Sequence, residues 1–150
     1  ELFETSDGRI LVNELAMRPH NTGHWSIDGA VTSQFENHVR AVLDLPLGST
    51  TPLATWSVMV NILGGAEPDL VARRRLALAA EPDVHIHLYG KDVKPGRKVG
   101  HVTATGTNLE SVLARARRSA ALVKGEESEQ RVRTRHEWES SWVRIRTGPR

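Results

Sequence analysis

ILVNELAMRPHNTGHWSIDGAVTSQFENHVRAVLDLPLG, residues 10–48, changes character twice. It opens apolar, passes into a run holding Asn13, Glu14, Arg18, His20, Asn21 and His24, and closes on a segment of helical period. A solvated loop has no need of so many ligand-type groups, and a core does not tolerate them unpaired. The polar run therefore reads as a site held between two ordered elements.

On the N-terminal side, LFET and RILVNELA flank SDG. Asp-Gly between β-prone runs predicts a hairpin that turns near Asp7 and Gly8. Glu1 then lies on one strand and Glu14 near the end of its partner. Residues 13–32 show no sustained period, and Pro19, Gly23 and Gly29 break a helix, so they read as loop. Beyond them Phe35, Val39, Val42 and Leu43 recur at helical spacing. Thr32 or Ser33 can cap and Pro46 with Gly48 stops the run, which predicts a helix over 32–44.

Further on, ATWSVMVNILG reads as a strand and PDLVARRRLALAAEP as a short helix between prolines. VHIHLYG and KVGHVTATG alternate as strands around KDVKPGR, a turn rich in Lys, Pro and Gly. NLESVLARARRSAALVK is amphipathic, with Leu109, Val112, Leu113, Ala116, Ala120 and Val123 on its apolar side. Residues 126–150 are charged, poor in aliphatics and without a dependable period, which predicts a loosely attached, flexible tail. The whole is α+β, with no internal repeat and no Gly-x-x-x-x-Gly-Lys phosphate loop.

The 150 residues suffice for a buried core, and 39% hydrophobic with 25% charged is the balance of a soluble globular chain. No apolar run approaches the roughly 20 residues of a membrane span, and ELFETSDGR lacks the features of a signal peptide. The expected location is the cytoplasm. With zero cysteines, any metal must be held by oxygen or imidazole. The net charge of +2 is small, and residues 115–150 carry ten basic against five acidic groups. The rest is close to neutral, so nucleic acid is not an expected partner, and neither is a membrane. The first residue is Glu rather than Met, which suggests a fragment.

Two chemistries fit the polar groups. Glu1, Asn13 and Glu14, projected from paired strands, offer oxygen donors suited to magnesium bridging phosphates, although two surface glutamates also give such a pattern. Arg18 supplies a rigid fork of donors for a planar, carboxylate-like anion, and His20, Asn21 and His24 add donors or a base. Separately, Lys91, Lys94, Arg97 and Lys98 surround a Pro-Gly turn. That turn is either a solvated basic hairpin or a phosphate-binding loop.

NELAMRPHNTGHWSIDGAVTSQFENHVRAVLDLPLG, followed by VMVNILGG and HLYGKDVKPGRKVGH, resembles the C-terminal third of the 5-(carboxyamino)imidazole ribonucleotide synthases, ATP-grasp enzymes of purine biosynthesis. The resemblance covers residues 1–124 and keeps the order of three motifs. It implies that residues 1–52 end an ATP-grasp domain of antiparallel strands plus helix. Residues 53–125 then form a small β-rich C-terminal domain with a terminal helix. It further implies a carbon-nitrogen ligase that uses ATP and Mg²⁺ to carboxylate aminoimidazole ribonucleotide with bicarbonate through carboxyphosphate. Glu1 and Glu14 would hold magnesium with help from Asn13, and Arg18, His20 and Asn21 would hold bicarbonate and carboxyphosphate. Lys91, Arg97 and Lys98 would meet phosphate groups of the ribonucleotide or of ATP. The family's N-terminal part, with its glycine-rich loop and adenine pocket, is expected as the missing partner, and the full-length form as a homodimer. The 150 residues alone are expected to be inactive. The tail does not match the family's ending.

Two other readings compete. The formate-using ATP-grasp transformylase of glycinamide ribonucleotide also carries Arg-Pro-His, but there the chain continues Asp-Thr-Gly-Met, against NTGHW here. A non-catalytic interaction module would rest on the basic tail, whose field is diluted by interspersed acidic residues.

Overall fold

A computed structural model describes residues 1–126 and, for its backbone, 142–146. The chain divides into two compact units, Glu1–Pro52 and Leu53–Arg150.

The first unit opens with β1 (Leu2–Glu4) and β2 (Ile10–Val12), antiparallel and in the register Leu2↔Val12, Phe3↔Leu11, Glu4↔Ile10. Gly8 takes a φ of +82°, a conformation that costs a side-chain-bearing residue energy, and Thr5 N–H donates to the Arg9 carbonyl at 2.9 Å to close the turn. The expected hairpin is thus present where Asp7 and Gly8 placed it. Within the expected loop two short pieces of helix occur: a 3₁₀ turn over Asn21–Gly23 and α1 (Ser26–Gly29). The helix expected over 32–44 is α2 (Gln34–Val42), capped by the Ser33 hydroxyl, which accepts from Glu36 N–H at 3.1 Å. After α2 the Asn37 side chain ties down the returning chain, since it accepts from Gly48 N–H at 2.8 Å and donates to the Gly48 carbonyl at 3.2 Å.

The second unit contains β3 (Trp56–Leu63), α3 (Leu70–Ala80), β4 (His85–Leu88), β5 (Lys98–Gly106), α4 (Leu109–Lys124) and β6 (Trp142–Arg146). The strands form one antiparallel sheet in the order β4-β5-β3-β6. Alternation along β3 and β5 sends Val58, Val60, Ile62, Val102 and Ala104 into a core with Val112, Ala116, Ala120 and Val123 of α4. Each fully buried Val or Ile there contributes about 1.5–3 kcal/mol relative to exposure, and this burial holds the helix on the sheet. Asn108 caps α4 by accepting from Ser111 N–H at 2.9 Å.

The reading of 126–150 as a loosely attached tail is corrected at one place: Trp142–Arg146 pairs with β3, Met59 opposite Val143 and Val58 opposite Arg144. In WVRIR, apolar Val143 and Ile145 alternate with Arg144 and Arg146, a strand period too short to stand out in a charged run. The remainder of that expectation, on 127–141 and 147–150, lies outside the described residues. Among the described residues no helix is long and apolar enough to cross a membrane.

Candidate functional site

The hairpin brings the candidate carboxylates together. Beyond the two strands the pairing continues, as Asn13 N–H donates to the Glu1 carbonyl at 2.9 Å and the Glu1 amino group donates to the Glu14 carbonyl at 2.7 Å. Asn13 Nδ2 also donates to Glu1 Oε2, which orients that carboxylate. Glu14 Oε1 lies 2.7 Å from His20 Nε2. One ligand atom each from Glu1, Glu14 and His20 falls within 4.8 Å of the others.

His20 is fixed from both ends. Its ring Nδ1 is 2.9 Å from Thr22 Oγ1, its backbone N–H donates to Gln34 Oε1 at 3.0 Å, and its carbonyl accepts from Gln34 Nε2. Asn21 follows in the 3₁₀ turn, and its Oδ1 is buried without a hydrogen-bond partner among the described residues, an acceptor neither solvated nor satisfied. Arg18 points elsewhere: it donates to the Pro19 carbonyl at 3.1 Å and, with Ala16, Met17, Pro19, Gln34 and His38, lines an open groove of about 400 Å³. Of the residues expected for anion binding, His20 therefore joins the carboxylates, whereas Arg18 faces the groove.

An all-oxygen set of two carboxylates and an amide suits magnesium by the chemistry of its donors, and the two glutamates stand close enough to share one. The set fits the metal that the sequence implies. His20, a nitrogen donor, is a poor partner for that ion and is better placed to hold Glu14.

Lys91 and Arg97 lie in the second unit on the turn between β4 and β5, and Lys98 opens β5. Gly96 N–H donates to the Gly64 carbonyl at 3.0 Å and Gly64 N–H to the Arg97 carbonyl at 2.7 Å, which ties the turn to the end of β3. Lys91 Nζ sits 5.4 Å from the centre of the Tyr89 ring, a cation–π contact. Burial, and then the charge of Lys91, hold Lys98 below the ordinary lysine range. Tyr89 hydroxyl lies 2.6 Å from His101 Nδ1, and burial pushes the phenol up to about 12.

The residue that sequence reasoning passed over is Gln34. It opens a helix, where polar residues are unremarked, and its contact with His20 spans a stretch of chain with no periodic signal.

Comparison with known proteins bears on the family and the fold. Residues 1–35 match the ATP-grasp domain, and residues 57–115 match the phosphoribosylaminoimidazole carboxylase C-terminal domain. N5-carboxyaminoimidazole ribonucleotide synthase of Mycobacterium tuberculosis is 54% identical over 123 residues, which are 80% of this chain and 29% of that protein. The crystal structure of the phosphoribosylaminoimidazole carboxylase ATPase subunit from Aquifex aeolicus is similar with a TM-score of 0.67 and 46% identity, covering 82% of this chain and 37% of that one. That of N5-carboxyaminoimidazole synthase from Aspergillus clavatus, in complex with ADP and 5-aminoimidazole ribonucleotide, gives 0.68 at 37% identity, covering 83% and 34%. The chain thus spans less than a third of the mycobacterial relative.

Fold and site together define a portion of an ATP-grasp protein. Within that class the chain is similar to part of the N5-carboxyaminoimidazole ribonucleotide synthases, and residues 57–115 match the phosphoribosylaminoimidazole carboxylase C-terminal domain.

Proposed function

We propose that the chain is part of an ATP-dependent ligase that carboxylates 5-aminoimidazole ribonucleotide with bicarbonate, giving ADP, phosphate and 5-(carboxyamino)imidazole ribonucleotide. The observation that carries this reading is the convergence of Glu1, Asn13, Glu14 and His20 on one hairpin and its adjoining loop. Bicarbonate is a poor electrophile. A bicarbonate oxygen attacks the γ-phosphorus of ATP and releases ADP, and the exocyclic amine then attacks the carboxyl carbon of carboxyphosphate with loss of phosphate.

In such a reaction the protein mainly places anions and offsets their charge. Glu1 and Glu14, steadied by Asn13, would hold Mg²⁺, which when bound neutralises phosphate oxygens. Arg18 would grip the planar oxyanion as a two-pronged donor, with Asn21 and His20 fixing its orientation. Lys91, Arg97 and Lys98 would take phosphate groups of the ribonucleotide or of ATP.

The strands of the hairpin leave Leu2, Phe3, Ile10, Leu11 and Val12 exposed, and Leu15 and Met17 follow them into solvent. A patch of this kind calls for cover. We assign that cover to the preceding part of the same enzyme, and hence propose that these 150 residues alone do not turn over. The complete protein would act in the cytoplasm as a homodimer. The test is an isotopic one on full-length enzyme: ¹³C-bicarbonate against ¹³C-formate, with ATP and aminoimidazole ribonucleotide. Label from bicarbonate in the product is the expected result, and label from formate would overturn the reading.

A further inference from the structure

We propose that Gln34 is a positioning residue for the anion-handling loop, acting through His20. The inference rests on the functional reading above. A loop without a sustained period holds a catalytic geometry only if something outside it fixes its backbone. Here the Gln34 carboxamide does so in the manner of a paired strand, accepting from His20 N–H at 3.0 Å and donating to the His20 carbonyl at 2.5 Å. Two hydrogen bonds to the two sides of one residue fix both its position and its rotation. With the backbone fixed, the His20 ring reaches Glu14 Oε1 at 2.7 Å and Thr22 Oγ1 at 2.9 Å.

Gln34 is itself held. Its backbone N–H donates to Ser26 Oγ at 2.9 Å, and the same hydroxyl donates to the Gly23 carbonyl at 2.6 Å. The loop is therefore clasped twice from the start of α2, once through the Gln34 side chain and once through buried Ser26. Gly23 makes room for the clasp: a Cβ there would meet Gln34 Oε1 at 2.5 Å, so a side chain at 23 would displace the carboxamide. Gln34 also lines the groove that Arg18 faces.

The experiment uses the full-length enzyme with Gln34→Met, Gln34→Glu, His20→Ala and the Gln34→Met/His20→Ala double variant. Gln34→Met keeps length and loses both hydrogen bonds, whereas Gln34→Glu keeps the acceptor and loses the donor. The expected result is a fall of about tenfold or more in bicarbonate-dependent kcat/KM for Gln34→Met, as two hydrogen bonds to the loop are lost. The fall for Gln34→Glu is expected to be smaller, and the KM for ATP to stay within about twofold of wild type. The double variant is expected to be no worse than His20→Ala, because both act through one group. If His20→Ala loses bicarbonate turnover while Gln34→Met retains it, the positioning role is overturned and the functional reading stands. If the two losses multiply in the double variant, Gln34 acts independently of His20 and the proposal fails. Wild-type bicarbonate response in His20→Ala overturns the assignment of the loop itself, and the positioning role with it. Should Gln34→Met fail to fold, the Gln34→Glu variant and its double with His20→Ala carry the same comparison.

Discussion

His20 Nε2 stands 2.7 Å from Glu14 Oε1, with the imidazole largely covered and the carboxylate half-exposed. This contact joins the residue expected to meet the reacting anion to a residue expected to hold magnesium. A change at either alters the surroundings of the other, so His20 and Glu14 form one unit, while Arg18 lines a groove apart from them.

Glu14→Gln in the full-length enzyme is expected to reduce ADP release by roughly a hundredfold or more, because one carboxylate fewer would weaken the hold on the Mg²⁺ that offsets phosphate charge. Circular dichroism should be unchanged, since Glu14 lies beyond the strands and outside any core. Wild-type rates at raised Mg²⁺ would remove Glu14 from the site.

Arg18→Lys keeps the charge and loses the planar fork. A charge-assisted hydrogen bond is worth about 1.5–3 kcal/mol, so bicarbonate-dependent turnover should fall roughly ten- to a hundredfold, with ATP affinity nearly unchanged. A bicarbonate titration in degassed buffer measures this. A raised KM for ATP with normal bicarbonate response would assign Arg18 to the nucleotide instead.

Tyr89 gives a prediction at alkaline pH. Its phenol holds its proton up to about 12 in the folded chain against 10.0 when unfolded, because burial disfavours the phenolate. Between those values the folded state binds the extra proton, so this contribution to stability is complete below pH 10 and lost as pH rises through about 12. Tyr89→Phe should flatten that part of the stability profile. The difference in absorbance at 295 nm between wild type and variant should titrate near the higher value.

Ile62 is fully buried in the sheet core. Ile62→Ala should cost about 2–5 kcal/mol and Ile62→Val about 0.5–1.5 kcal/mol, read from urea unfolding by far-UV circular dichroism. Equal effects from both would mean that the site collapses around the smaller side chain.

The hairpin, strands β3, β4 and β5, and helices α2, α3 and α4 were legible in the sequence, because turn residues, prolines and apolar periods marked their limits. The short helical pieces at Asn21–Gly23 and Ser26–Gly29 were not, as three or four residues carry no period and are tied by the Ser26 hydroxyl, which donates to the Gly23 carbonyl and accepts from Gln34 N–H. For the same reason Gln34 carries no signal in the sequence: its two bonds to His20 are formed only when the loop folds back. The glutamates, His20 and the basic turn were legible as residue types. That Arg18 and His20 face different surroundings depended on loop geometry which spacing does not encode.

The placement of β3 in the middle of its sheet bears on how the chain is made. Val60 pairs with Val102 on one side and with Trp142 on the other, both synthesised long after it. During translation β3 must therefore wait, with its hydrogen-bonding edges open, until residue 146 has left the ribosome. Sheets closed by such distant partners fold slowly and expose sticky edges meanwhile. The speed of elongation therefore sets how long those edges of β3 stay open.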